Sequence, residues 1–280
     1  MMNRRDFLKL AGVAAGAPLV MPSIALAKSS RDQAKEDILK ALDSTVFVKT
    51  GDLNSNKIVY ARVYTHCPLS KALFYSSLEL KNPGVQFRWV FTGDTAEILE
   101  RRDIESVKAA FQFRKKSVPY ANTGIARASA VNANIANAVG GELLKAAGFG
   151  RPKRIPYLFF KTDKGLKLWY DYDYNRGKFL RGGKIADLKS LVINASPKNL
   201  SDDILYGRTS KVVGEAKMRN YSGKKVGVYS SMSKSSFKLH ELNPRSGWDG
   251  KDTVLENSEG RWIQVRLYAK SGVAYMWQPS

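Results

Sequence analysis

One cysteine, Cys67, and two histidines, His66 and His240, are all that 280 residues contain of those two types. A single cysteine cannot close an internal disulfide, which excludes a disulfide-stapled architecture. The same scarcity leaves no nitrogen–sulfur ligand cluster of the kind that holds zinc, and no cofactor is expected. Acidic side chains are also few: 25 Asp and Glu stand against 46 Lys and Arg, a net charge of +21. Beyond residue 27 no stretch approaches the ~18 consecutive apolar residues that a spanning helix needs, so no transmembrane segment is expected in the remainder. The charge excess favours polyanionic partners. An anionic envelope component or an acidic protein partner fits it; so, equally, does a plain solvated basic surface. Nucleic acid is not expected as a partner.

The first 27 residues read as a removable signal. Arg4-Arg5-Asp6-Phe7-Leu8-Lys9 is a charged start, Leu10 to Val20 a mild apolar run, and Ala25-Leu26-Ala27 a small-x-small cleavage pattern. Arg-Arg-x-Phe-Leu-Lys resembles a twin-arginine export signal. Asn3 stands where Ser or Thr is commoner, which leaves a general secretory signal open. Either route implies work outside the cytoplasm, and a periplasmic location is expected. Twin-arginine substrates usually cross already folded, so that resemblance implies folding in the reducing cytoplasm. The remaining 253 residues carry about +19 and suffice for one large domain or two modest ones.

Along that remainder, Ala34, Ile38, Leu39 and Leu42 recur at helical spacing, giving an N-terminal helix within 28–44. Val46 to Val48 predicts a short strand, and Ile58 to Tyr64 a strand dense in β-branched and aromatic residues. That strand runs into Thr65-His66-Cys67-Pro68-Leu69-Ser70, followed by a helix over 71–80 and a buried strand over 85–91. Residues 95–147 read as mostly helical with a break near 119–124. Ile155 to Phe160 is a strand opening with proline, Leu166 to Tyr172 its hairpin partner, and 185–193 a helix. The aromatic run Leu168 to Tyr174 is explained by alternation in a strand. Ser, Asn, Lys and Gly enrich 195–222, which reads as a connection. From Lys225 onward short strands alternate with turns, the pattern of a small β-barrel.

The turn after the second strand carries the chemistry. A strand ending in Cys-Pro and opening into a helix sets the sulfur at the helix N-terminus, where unpaired amides and the dipole favour thiolate. Pro68 suits the first helical position. Ser70, three residues on, lies within hydrogen-bonding reach of the sulfur. His66 has two readings: an imidazolium that lowers the thiol pKa, or a side chain pointing away along the strand. His66-Cys67-Pro68-Leu69-Ser70, the preceding strand and the later Ile155-Pro156 resemble the thioredoxin superfamily. With the N-terminal helix and the helical insertion, the similarity is greatest to DsbC/DsbG-type periplasmic thiol–disulfide isomerase domains, over residues 45–193. The resemblance implies that Cys67 is the attacking thiol. It also implies a cis peptide bond at Pro156, facing the sulfur across a substrate groove. Protein thiols or disulfides are then the expected partners. Ser70 departs from the pattern, which has a second cysteine there. Without it a mixed disulfide needs an external reductant or the substrate's own thiol to resolve it.

The expected fold class is an α/β thioredoxin-like domain with a helical insertion (45–195), a linker (196–221) and a small all-β SH3-like barrel (222–280). The last resembles bacterial SH3-like domains through Gly260-Arg261-Trp262-Ile263-Gln264-Val265 and Ser271 to Trp277. Trp262 and Trp277 either line a groove or fill the core. From residue 208 to the end 13 basic and 6 acidic residues give a module near +7, in keeping with envelope targeting. Two function classes follow. One is a monothiol redox protein working through Cys67, with His66, Ser70 and Pro156 around it. The other is a redox-inactive binding or assembly protein of the cell envelope or a secretion complex.

Overall fold

The computed structural model describes residues 30–93, 95–112, 123–150, 152, 154–268 and 272–278. The N-terminal signal, residues 119–122 of the expected break, and Arg151 and Lys153 lie outside the described residues; Thr123 and Gly124, also expected in the break, instead begin a helix. Helix α1 (Ser30–Asp43) leads into strands β1 (Val48–Gly51) and β2 (Ile58–Tyr64), helix α2 (Pro68–Leu78) and strand β3 (Gln86–Thr92). Helices α3 (Ala96–Arg101), α4 (Ile104–Gln112) and α5 (Thr123–Ala138) follow. The last is followed, across a kink at Gly141 within Val139–Leu143, by the short α6 (Leu144–Ala146). Strands β4 (Tyr157–Thr162), β5 (Gly165–Asp173) and β6 (Lys178–Arg181) and helices α7 (Leu188–Leu191) and α8 (Asp202–Tyr206) complete the first part.

These strands form one sheet in the order β1-β3-β2-β4-β5-β6, with β2 and β3 parallel and the other neighbours antiparallel. The central strands are buried on both faces, which explains their near-continuous apolar sequence. Strict alternation then sorts their side chains. Ile58 and Tyr60 join Ile38, Leu42, Val131 and Ile135 of α1 and α5 on one face. Val59, Ala61, Val63, Phe87, Trp89 and Phe91 meet Leu73 and Phe74 of α2 on the other.

Helix α5 is tied to the sheet by Asn132, which is buried in this core. Its Nδ2 donates to the carbonyls of Val46 (2.8 Å) and Phe91 (3.2 Å), and its Oδ1 accepts the Val46 N–H (2.8 Å). The strand expected at 46–48 starts two residues later because the Val46 backbone groups are committed to this amide. Arg88 occupies the same face. Its guanidinium donates to Gln86 Oε1 (2.9 Å), the Tyr60 hydroxyl (3.2 Å) and Asn199 Oδ1 (2.7 Å), and the Tyr60 hydroxyl donates in turn to Asp43. Burial holds the Asp43 carboxyl above the ordinary carboxylate range, against the opposing effects of the Tyr60 hydrogen bond and the Arg88 charge.

A second sheet, wholly antiparallel, is built from β7 (Lys211–Arg219), β8 (Val226–Tyr229), β9 (Lys238–Leu242), β10 (Gly247–Asn257), β11 (Gly260–Tyr268) and β12 (Gly272–Gln278). Its order is β7-β10-β11-β12-β8-β9. Among the described residues β7 and β9 are its two ends, and no closed barrel forms. The stretch expected to be a plain linker, 196–221, instead supplies α8 and the edge strand β7. That strand is largely exposed, including Val212 and Val213, so it lacks the alternation that marks a strand in sequence. Trp262 and Tyr275 pack on one face of the second sheet, Val228, Val265 and Met276 on the other. Helix α5 packs against β12, and Arg127 Nη1 of α5 donates to Gly207 O (2.9 Å) and Ser210 Oγ (3.1 Å). Gly207 takes φ +62° at the end of α8, and a Cβ there would fall 2.6 Å from that Nη1.

Two outcomes follow from the buried polar groups. Asn132→Ala leaves buried backbone groups of Val46 and Phe91 without their partner, and should lower the unfolding free energy by about 3 kcal/mol in a urea titration. For Asp43, a raised folded-state pKa means stability that is complete below the unfolded value, ~3.9, and lost as pH rises through the folded one. Urea midpoints just above that value should therefore fall with pH in the parent more steeply than in Asp43→Asn.

Candidate functional site

Strand β2 ends at Tyr64 because the next residues turn: the Cys67 N–H bonds to Tyr64 O at 3.0 Å. Helix α2 starts at once. Lys71 N–H returns to Cys67 O at 3.1 Å, Pro68 occupies its first turn, and Cys67 has extended backbone angles (φ −93°, ψ 116°) as the N-cap. The sulfur therefore sits at the N-terminal end of an eleven-residue helix, on a half-buried side chain. Its Sγ donates to the carbonyl of Ile155 across 3.4 Å. The Ile155–Pro156 peptide is cis, and Pro156 is buried. The two segments that the sequence set apart by 88 residues thus meet at the thiol.

Ser70 is fully buried, and its Oγ accepts the Tyr64 N–H at 3.2 Å. It holds the turn closed where a sulfur contact was expected, because the helix's first turn curls back over the end of β2. His66 is exposed and lies edge-on to the Tyr64 ring, 5.4 Å between centroids. Among the described residues no hydrogen bond joins it to the sulfur.

Sequence reasoning missed two elements near the thiol. One is the Ile155 carbonyl, a backbone group that no motif names. The other is a cavity of about 310 Å³ lined by Ile155 and Tyr157, by Arg62 and Arg154, and by Gly140 and Gly141 of the kink after α5. Arg62 was legible in principle: it is the one charged residue among the alternate positions Ile58, Tyr60, Arg62 that face a core. A larger cavity, about 1130 Å³, opens between α1, the kink at Gly141 and the Ser235–His240 segment. It mixes Asp37, Asp43 and Glu142 with Lys40, Lys198 and Lys238 and does not reach Cys67. In the second sheet Trp262 is wholly buried and donates to Asn257 Oδ1 at 3.0 Å, which makes it core. Trp277 is partly exposed under the Lys234 ammonium, 3.6 Å from its ring centroid.

A model of the twin-arginine translocation pathway signal sequence matches residues 1–21. The chain carries a twin-arginine export signal. It is thus addressed across the cytoplasmic membrane, and the general secretory alternative falls away. Among the described residues no helix is long and apolar enough to cross a membrane. No curated protein matches the chain.

The placement of Ser70 gives a direct test. Ser70→Ala strips the Tyr64 amide of its acceptor and should cost about 1 kcal/mol of stability. Because Oγ does not touch the sulfur, the iodoacetamide labelling rate of Cys67 should stay within about twofold of the parent.

Proposed function

We propose that this chain is an exported periplasmic protein whose first domain is thioredoxin-like, of the DsbC/DsbG type, and acts on protein disulfides or oxidised thiols through Cys67. The observation that carries the reading is the half-exposed Cys67 sulfur at the start of α2, 3.4 Å from the carbonyl that precedes Pro156. The strand order, with a parallel β2–β3 pair at its centre and β4 antiparallel beside it, supports the same reading. The second sheet serves as an SH3-like module that directs the basic chain to an anionic envelope component or acidic partner.

The chemistry needs no second cysteine in this chain. The Cys67 thiolate attacks one sulfur of a substrate disulfide; that S–S bond breaks, and the other sulfur leaves with the electron pair as thiolate. A new S–S bond joins Cys67 to the substrate. The substrate's freed thiol or an external thiol then attacks this bond and releases Cys67 as thiolate. The first path isomerises the substrate with no net electron flow; the second reduces it at the expense of the external thiol. The Ile155 carbonyl is placed to accept from the thiol before attack and from a backbone N–H of an extended substrate after it.

A second reading has one observation in its favour. Ser70 is sealed into the turn and offers nothing to the sulfur, as a binding or assembly protein without turnover would tolerate. Mixing the reduced mature protein with a peptide disulfide decides between them. The redox reading expects a Cys67–peptide adduct by mass spectrometry that persists until glutathione is added. It also expects Ser70→Cys to shed the peptide unaided through an internal disulfide. Absence of any adduct on Cys67 would leave the binding protein as the answer.

A further inference from the structure

Arg62 is the arginine on the first sheet that the fold does not satisfy. It follows Tyr60 on the face packed by α1 and α5, and its strand neighbour across the pair is Tyr157. The guanidinium lies over the Tyr157 ring, 5.1 Å from the centroid, and its Nε is buried with no hydrogen-bond partner. Among the described residues no carboxylate pairs with it. Burial alone pushes its pKa down, to about 10. Arg88, on the same face, shows the ordinary solution: three side-chain acceptors surround it. A half-buried cation with its Nε sealed away from any acceptor is costly to hold, so its retention points to a partner that arrives from outside.

The surroundings fit such a partner. The 310 Å³ cavity brings Arg62 together with the exposed Arg154, and none of its lining residues is acidic. It is also lined by the kink after α5, where Gly141 leaves helical geometry (φ −112°, ψ −111°). A Cβ on Gly140 would stand 2.9 Å from Arg62 Nη1, so a side chain there would push the end of the guanidinium aside. Ile155 lines the cavity with its own atoms and accepts the Cys67 thiol with its carbonyl. Two guanidinium forks with a planar donor face match a carboxylate.

We propose that this cavity is a carboxylate subsite, in which Arg62 and Arg154 hold an acidic group of the disulfide-bearing substrate while its sulfur is presented to Cys67. The subsite deepens the redox reading above and rests on it for the identity of the substrate.

Two aromatic disulfides of different charge test it. Both 5,5′-dithiobis(2-nitrobenzoate), which carries a carboxylate on each ring, and neutral 4,4′-dithiodipyridine transfer an arylthio group to Cys67 and release an aryl thiolate. Arg62→Gln and Gly140→Ala should each slow the carboxylated reagent about tenfold and change the neutral one by less than about twofold. Gly140→Ala keeps the net charge, so its loss cannot be laid to the general basic field. Equal slowing of both reagents, or of neither, overturns the proposal. A second arm does not depend on the thiol. At fixed ionic strength, benzoate should raise the melting temperature of Cys67→Ser saturably and do so far less for Cys67→Ser with Gly140→Ala. An indifferent or identical response overturns the subsite. Failure of both disulfides to react with Cys67, beside a normal benzoate response, would remove the redox reading and leave the carboxylate site standing.

Discussion

The buried amide of Asn132 is the constraint on which the arrangement depends. One side chain satisfies the N–H and C=O of Val46 and reaches the Phe91 carbonyl at the end of β3. Unpaired polar groups at that depth cost about 1–3 kcal/mol each, so α5 has one register against the sheet and no neighbouring one. Everything α5 carries is fixed with it. Arg127, toward its N-terminal end, meets Gly207 and Ser210 and joins the second sheet's approach to the first. Gly140 and Gly141, just past its C-terminal end, form the wall opposite Arg62. A single hydrogen-bonded position thus sets both the junction between sheets and the shape of the cavity beside the thiol.

What the sequence made legible was local. Strand, Cys-Pro and helix could be read in order because each depends on neighbours in the chain: β-branched residues to Tyr64, a proline in the first turn, and an apolar helix after it. What stayed hidden was the partner of each group. Ser70 stands at the right spacing to reach the sulfur, yet its Oγ is taken up by the Tyr64 amide. The Ile155 carbonyl is invisible to any pattern of side chains. Strand β7 escaped notice because an exposed edge strand needs no buried face, and Lys211 to Arg219 shows none in its composition. The single helix expected over 185–193 is split for a related reason. Its first turn is a tight 3₁₀ turn, Ile185–Asp187, and by Val192 the backbone is already extended, leaving α7 only four residues.

Two arginines on one sheet face put charge placement in relief. Alternation of apolar and polar residues assigns Arg62 and Arg88 to the interior side of β2 and β3, where a cation is expensive. For Arg88 the cost is offset by Gln86, Tyr60 and Asn199, and by Asp43 one hydrogen bond further out. That network also explains why Asp43 is drawn up from its ordinary range: its neighbours favour the anion, but burial outweighs them. Lys49, beside the same arginine, is pushed down by burial and by the Arg88 and Arg102 charges. The protein is therefore able to surround a buried guanidinium with acceptors, and does so two residues along the paired strands from one that it leaves open.

The open arginine and the single thiol are linked through Ile155, which lines the arginine's cavity and accepts the thiol with its carbonyl. This geometry bears on how a protein with one cysteine would select its substrates. A dithiol motif can discard a wrong substrate by closing its own disulfide, whereas a lone thiol holds every adduct until another thiol arrives. Discrimination then has to precede attack. On the proposed reading, the positively charged pocket that shares Ile155 with the thiol would supply it at the encounter, where charge acts most strongly on association. The net charge of +21 would attract any anion; a half-buried guanidinium braced on Tyr157 would select for one that fits. The lack of a second cysteine and the presence of an unsatisfied arginine would then be two sides of one design: commitment at a lone thiol is slow to reverse, and recognition placed next to it would compensate.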